Sequence, residues 1–225
     1  ESDAEVENCL KQHGTTPVRH LDSLGILNDQ TLAAHCVKLD HEEIILLSEK
    51  QVRVSHCIES NMKLASGIAP IPELLRHNVP VSIGTDGSAS NNDVDMFSEM
   101  GTVAKTHKAI ACDPTVMAAE TTLHAATQGG AVALHAEHRI GTLVPGKQAD
   151  CIVLDLNQPH LTPLYNLPSH LVYAARGADV IHSIINGRVV MEDRIIQTID
   201  EDSIISRMQD IGRKISAMRE ALSGA

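Results

Sequence analysis

Three short apolar runs, each ending in a polar residue and separated by helical patterns, constrain this chain most. They are Thr31-Leu-Ala-Ala-His35-Cys-Val37, which reads as a short buried strand, Gln51-Val-Arg-Val-Ser-His56 and Val79-Pro-Val-Ser-Ile-Gly84, the last running into Thr85-Asp86-Gly87. Between and after them come a helix capped by Asp40 and reaching Lys50, a helix from Pro72 to Asn78, and helices from Val94 to Ile110 and Pro114 to Gln128. A polar loop with Asn61, Lys63, Ser66 and Gly67 follows the second run. Strand and helix alternating in this way predict parallel βα units. In a barrel made of such units the C-terminal strand ends carry the chemistry. His35, His56 and Asp86 occupy three successive ends of that kind.

The flanks differ. A helix over 3–13, capped by Asp3, stops at Gly14, and a short helix from Val18 to Leu24 stops at Gly25. After Gly130 the chain turns to strand chemistry, with Cys151–Asp155 extended and Val180–Ile185 paired to Arg188–Met191 across Asn186-Gly187, a type I′ hairpin signal. The tail carries Ile204, Met208, Ile211, Ile215, Met218 and Leu222 at helical spacing, a face expected to dock on the body. Aromatic residues are 1% of the 225, namely Phe97, Tyr165 and Tyr173, so the core is aliphatic and a base-stacking platform is excluded. The net charge of −11 argues against nucleic acid or an anionic membrane as partner. No apolar run approaches a membrane span. Five cysteines without a CxxC pair suit a reduced, cytoplasmic chain.

Four strings occur in order: Leu32-Ala-Ala-His35-Cys36, Ser55-His56-Cys57-x-x-Ser60-Asn61-x-Lys63-Leu-Ala-Ser-Gly67, Gly84-Thr-Asp86-Gly-x-x-Ser90-Asn91-Asn92, and Pro145-Gly-Lys-x-Ala-Asp150-x-x-x-Leu-Asp155. Together they resemble the amidohydrolase superfamily, and within it the 5′-methylthioadenosine/S-adenosylhomocysteine deaminases, close to the triazine chlorohydrolases. The resemblance implies an α/β fold: the C-terminal part of a metal-bearing (β/α)8 barrel plus strands of a composite β-sandwich. It divides the chain into 1–138 (barrel half), 139–198 (sandwich contribution) and 199–225 (docking helix). The family's His-x-His of the first strand is absent. Glu1-Ser2 looks like the end of its fifth-strand His-x-x-Glu-Thr motif, which places a histidine three residues before Glu1 in a parent chain. The family has Pro after His-Cys, where this chain has Ile58.

The resemblance also implies roles. Asp86 would ligate one divalent metal, zinc in preference to iron or manganese, and accept a proton from its water. His35 would hydrogen-bond the attacking hydroxide and the developing oxyanion. Glu1 would face the purine edge, protonate the ring nitrogen and assist ammonia loss. Glu1, His35 and Asp86 are thus the catalytic and substrate-binding set, and Asp86 the metal ligand of this chain. His56, Ser60, Asn61 and Lys63 are read as site walls, and for His56 a structural role weighs as much as a functional one. Cys36 and Cys57 are expected to point away as core thiols, and His135 with His138 to form a solvated face. The implied activity is hydrolytic deamination of an adenine nucleoside thioether by a homo-oligomer. Guanine- or triazine-type hydrolysis and a metal-free scaffold are the alternatives.

Overall fold

The computed structural model describes residues 1–223. It divides into two units, each treated by itself: Glu1–Gln148 with Asp155–Asp179, and Ala149–Leu154 with the chain from Val180 onward. The stretch 139–198 is thereby shared between units, because its middle folds as helix with the first.

The first unit opens with α1 (Asp3–His13) and α2 (Pro17–Ser23). Ser2, rather than Asp3, caps α1: its hydroxyl accepts the Glu5 N–H and the Glu5 carboxylate returns to the Ser2 N–H, a reciprocal capping box. Then come β1 (Leu32–Ala34), α3 (His41–Glu49), β2 (Arg53–His56), α4 (Ile58–Lys63), α5 (Ile71–Arg76) and β3 (Val81–Ile83). The strands form one parallel sheet in the order β1-β2-β3, with Ala34 opposite Ser55 and Ser55 opposite Ser82. Two further amides extend the pairing: His35 N–H donates to Ser55 O and Gly84 N–H to His56 O, both at 2.9 Å. All three C-terminal ends are therefore brought level at one edge of the sheet.

The helices α6 (Met96–Ala111), α7 (Ala119–Ala126) and α8 (Gln128–Ala133) pack against β3. At the start of α8 a Cβ on Gly129 would lie 2.6 Å from the Val81 carbonyl, so only glycine permits this approach of helix to strand. The core is aliphatic, as expected. Ile44, Leu47, Val52, Val54, Ile58, Ile71, Leu74, Val79 and Val103 are all at most 1% exposed. Burying such side chains contributes about 1.5–3 kcal/mol each.

Four elements differ from expectation. The first run is not buried: Leu32 and Ala34 are exposed, because β1 pairs on one side only. The polar loop contains helix α4, whose polar residues Ser60 and Asn61 are fully buried and hydrogen-bonded rather than solvated. The expected helix from Pro114 begins only at Ala119, since Met117 takes a left-handed turn with φ 44°. Within the expected β-rich part, α9 (Leu167–Tyr173) forms, capped by the Asn166 side chain, and buries Val172 against α6 and α7.

In the second unit β4 (Cys151–Leu154), β5 (Val180–Ile185), β6 (Arg188–Glu192) and β7 (Ile195–Ile196) make an antiparallel sheet in chain order. Asn186 and Gly187, at φ 49° and 74°, supply the left-handed pair that a type I′ turn requires. The helix α10 (Glu201–Ser223) carries its apolar stripe exposed, from Ile204 at 43% to Leu222 at 79%. No helix among the described residues is long and apolar enough to cross a membrane.

Candidate active site

At the sheet's C-terminal edge the backbone leaves ordinary space at His35, with Cys36 after it, and at Asp86. His35 (φ 67°) and Asp86 (φ 62°) both occupy the left-handed region, which His and Asp enter more readily than branched residues. The turn ends the ladder and swings each side chain across the edge. The Nε2 atom of His35 lies 4.0 Å from Asp86 Oδ2 and 3.5 Å from Glu1 Oε2. Glu1, His35 and Asp86 therefore meet, although 34 and 51 residues separate them in turn along the chain. All three remain partly open to solvent, at 22%, 20% and 37%.

Buried Asn61 on α4 organises two of them. Its Nδ2 donates to Glu1 Oε1 at 3.0 Å and stands 2.9 Å from His35 Nδ1. The Glu1 carboxylate requires the amide NH2, not the carbonyl, on this side of Asn61. The second amide hydrogen then meets Nδ1 of His35, which must be the acceptor. The His35 proton is consequently on Nε2, aimed at the space between Glu1 and Asp86. Ser66 adds a second donor to Glu1 Oε1 at 2.5 Å.

Asp86 is held by three donors. Ser60 and Ser90 hydroxyls both reach Oδ2, at 2.8 and 2.7 Å, and the Gly87 N–H reaches Oδ1 at 2.7 Å. The hydrogen bonds from Ser90, Ser60 and Gly87 pull its pKa down to about 2, so it is a carboxylate at any physiological pH. Oδ2 is saturated, whereas Oδ1 keeps a free lone pair. A divalent ion at this point fits Asp86 Oδ1 and not His35, whose Nε2 carries a proton. His41, Glu73 and His77 form a separate metal-capable cluster with ligand atoms within 4.8 Å of one another, and His41 Nδ1 already pairs with Glu73 Oε1 at 2.8 Å.

His56 does not join the site. It is 0% exposed, and its Nε2 lies 3.1 Å from Nε2 of buried His107 on α6. Burial pushes both imidazoles down, to about 3 and about 4, so each is neutral. Burial pushes the Cys36 and Cys57 thiols up, to about 12 and about 11, which leaves both as inert thiols. Lys63 ties the loop after β3 by donating to Ala89 O at 2.8 Å and to Asn92 Oδ1. Phe97 and Tyr173 line a cleft of about 410 Å³ with Asp95, Ser98 and His160, and none of Glu1, His35 or Asp86 borders it. Asn61 reads from sequence as a site wall without its partners, whereas Ser66 and Ser90 receive no role there. Their only trace is the density of small polar residues in the second and third strings.

The amidohydrolase family profile matches residues 1–190. The chain belongs to the amidohydrolase family. This amidohydrolase is 54% identical over 215 residues to a 5-methylthioadenosine/S-adenosylhomocysteine deaminase of Syntrophobacter fumaroxidans, a match covering 96% of this chain and 49% of the relative. It superposes on an adenosine deaminase from Xanthomonas campestris with bound zinc at a TM-score of 0.93 and 42% identity, covering 96% of this chain and 49% of that one. It also superposes on the zinc complex of an atrazine chlorohydrolase from Arthrobacter aurescens at a TM-score of 0.86 and 24% identity, over 93% and 47% of the two chains, a likeness of fold alone. The chain spans about half the length of the curated relatives it matches. Its α/β character is that of the amidohydrolases.

Proposed function

We propose that this amidohydrolase belongs to a zinc-dependent aminohydrolase that deaminates the adenine ring of 5′-methylthioadenosine or S-adenosylhomocysteine and releases ammonia. In this reading 1–138 forms the C-terminal half of a (β/α)8 barrel, 139–198 contributes strands to a composite β-sandwich, and the apolar stripe of α10, exposed among the described residues, is a docking face of the whole protein. The convergence of Glu1, His35 and Asp86 at one end of the parallel sheet carries the reading. Relatives named 5-methylthioadenosine/S-adenosylhomocysteine deaminase, at 43–54% identity over 89–96% of the chain, support the substrate class.

A divalent zinc ion held by Asp86, with further ligands from outside this chain, would lower the pKa of a bound water toward neutrality and supply the nucleophile. Asp86, charged with a pKa of about 2, would hold the ion through the free Oδ1 lone pair, and the proton lost by the water would pass to Oδ2, where the Ser60 and Ser90 hydroxyls can turn to admit it. His35 donates its Nε2–H to the oxygen that gains charge as the amidine carbon becomes tetrahedral. Asn61 prevents the opposite tautomer, which would present a lone pair there. Glu1 faces the same space through Oε2, while Oε1 is held by Asn61 and Ser66. Glu1 would deliver a hydrogen from Oε2 to the ring nitrogen, the proton held by Asp86 would pass to the amine, which leaves as ammonia, and the Glu1 carboxylate would take the hydroxyl proton as the carbonyl forms, restoring both groups. A site that reads the amidine edge by hydrogen bonds rejects analogues lacking those groups, because buried polar atoms are left unpaired.

The test is ammonia release by the full-length zinc-loaded protein from 5′-methylthioadenosine, S-adenosylhomocysteine, guanine and a chlorotriazine. The adenine nucleosides are expected to be the substrates. Faster turnover of guanine or triazine overturns the substrate class, and no turnover of any by metal-loaded protein overturns the enzyme.

A further inference from the structure

Asp86 is gripped by Ser60 and Ser90, and each serine is the chain neighbour of a residue tied to one buried carboxyl group. Ser60 follows Glu59, and Ser90 precedes Asn91. Glu99, near the start of α6, is 0% exposed and reaches both neighbours. Its Oε1 accepts the Glu59 N–H at 3.2 Å and its Oε2 accepts Asn91 Nδ2 at 3.1 Å. The Ile58 N–H also bonds to it, a donor that a proline at that position would not have. The Glu59 carboxylate closes the frame from the other side. It accepts Ser98 Oγ and Thr102 Oγ1, each at 2.7 Å, and Asn91 Nδ2 at 3.4 Å. Asn91 Oδ1 in turn accepts the Val94 N–H at 2.8 Å.

We propose that Glu99 is a positioning residue for Asp86. By locking the first turn of α4 and the loop over 86–94 to α6, it fixes the spacing of the Ser60 and Ser90 hydroxyls and so the direction of the free Oδ1 lone pair. Burial, reinforced by the negative charge of Glu59, lifts Glu99 to about 7. A carboxyl buried without a cation is a cost to the fold. Its bonds all go to the two segments that carry the serines, so the cost falls where Asp86 is oriented. The catalytic consequence rests on the deaminase reading, whereas the effect on Asp86 geometry does not.

Glu99→Gln keeps the volume and one acceptor oxygen, but its amide nitrogen faces a donor, so one of the two arms breaks. Asn91→Ala cuts the loop arm alone and serves if Glu99→Gln fails to fold. In the full-length protein, zinc affinity measured by competition with a chromophoric chelator is expected to weaken about 10–100-fold in either variant, with a similar fall in kcat. KM for 5′-methylthioadenosine is expected to stay within about twofold, since Glu99 acts through Asp86 and not on substrate. In the variant's crystal structure the Ser60 or Ser90 bond to Asp86 is expected to lengthen beyond about 3.5 Å. A folded variant that keeps both serine bonds and wild-type zinc affinity overturns the proposal. If wild type and Asp86→Asn bind zinc equally, Asp86 is not the ligand and the deaminase assignment of Asp86 fails. The serine–aspartate distances in the Glu99→Gln structure then decide the positioning claim alone.

Discussion

Mild acid should destabilise this protein through two buried imidazoles, and the size of the effect follows from their surroundings. His56 and His107 are 0% and 3% exposed and share one proton between Nε2 atoms 3.1 Å apart. A second proton would set two N–H donors face to face in an apolar core. Burial therefore holds their pKa values near 3 and 4, against 6.5 in the unfolded chain. Below pH 6.5 the unfolded chain binds protons that the folded one refuses. The stability from this pair is thus complete above 6.5 and is lost as pH falls toward 4. By pH 5 the loss is about 2 kcal/mol for each histidine, about 4 together, a large part of the 5–15 kcal/mol typical of a domain. His107→Gln can still donate to His56 Nε2 but cannot titrate, and it removes one source of the depression of His56. Urea unfolding from pH 8 to 5 should show the loss at pH 5 reduced to about 2 kcal/mol or less in the variant. Parallel pH profiles for wild type and variant would refute the reasoning.

Asp86→Asn should lower kcat by about 10²–10⁴ with the fold retained, since an amide is a weaker ligand and a poor proton acceptor; steady-state kinetics and circular dichroism check this. Asn61→Leu releases the His35 tautomer and one oxygen of Glu1, and is expected to reduce kcat about 10–100-fold. Unchanged kinetics in that variant would remove Asn61 from the site. Leu74→Ala empties a fully buried position on α5 that makes no hydrogen bond to the polar cluster. It should cost about 2–5 kcal/mol in chemical denaturation while leaving kcat of the folded fraction unchanged.

The sheet was legible because its signals are local. A short apolar run, a polar residue at its end and a helix cap such as Asp40 announce each βα unit within about ten residues. The three strand-end residues could be named for the same reason, whereas the grouping of His35 and Asp86 with Glu1 came from the family resemblance and not from any local pattern. His56 alternates to the side of the sheet where α6 supplies His107, 51 residues further on, and no local pattern encodes that partner. Helix α4 was read as loop because Ser60, Asn61 and Lys63 look solvated. Lys63 is indeed exposed, but the burial of Ser60 and Asn61 depends on acceptors in Glu1, His35 and Asp86, which only the tertiary fold brings near. The run at β1 was expected to be buried because composition does not distinguish an edge strand from a central one. Glu99 resembles any acidic residue in the first turn of a helix, and nothing nearby in sequence betrays that it is enclosed.

The left-handed backbone at His35 and Asp86 has an evolutionary meaning. Non-glycine residues held in such positions cost the fold about 1–3 kcal/mol each. Glycine would adopt φ 67° or 62° without that strain. At both positions the substitution that relieves the backbone is also the one that removes the functional side chain. A lineage selected only for folding would drift toward a calmer and silent edge of the sheet. Keeping an imidazole and a carboxylate there requires continued selection on what they do, and the surplus of stability in the aliphatic core sets how long a lineage can carry them.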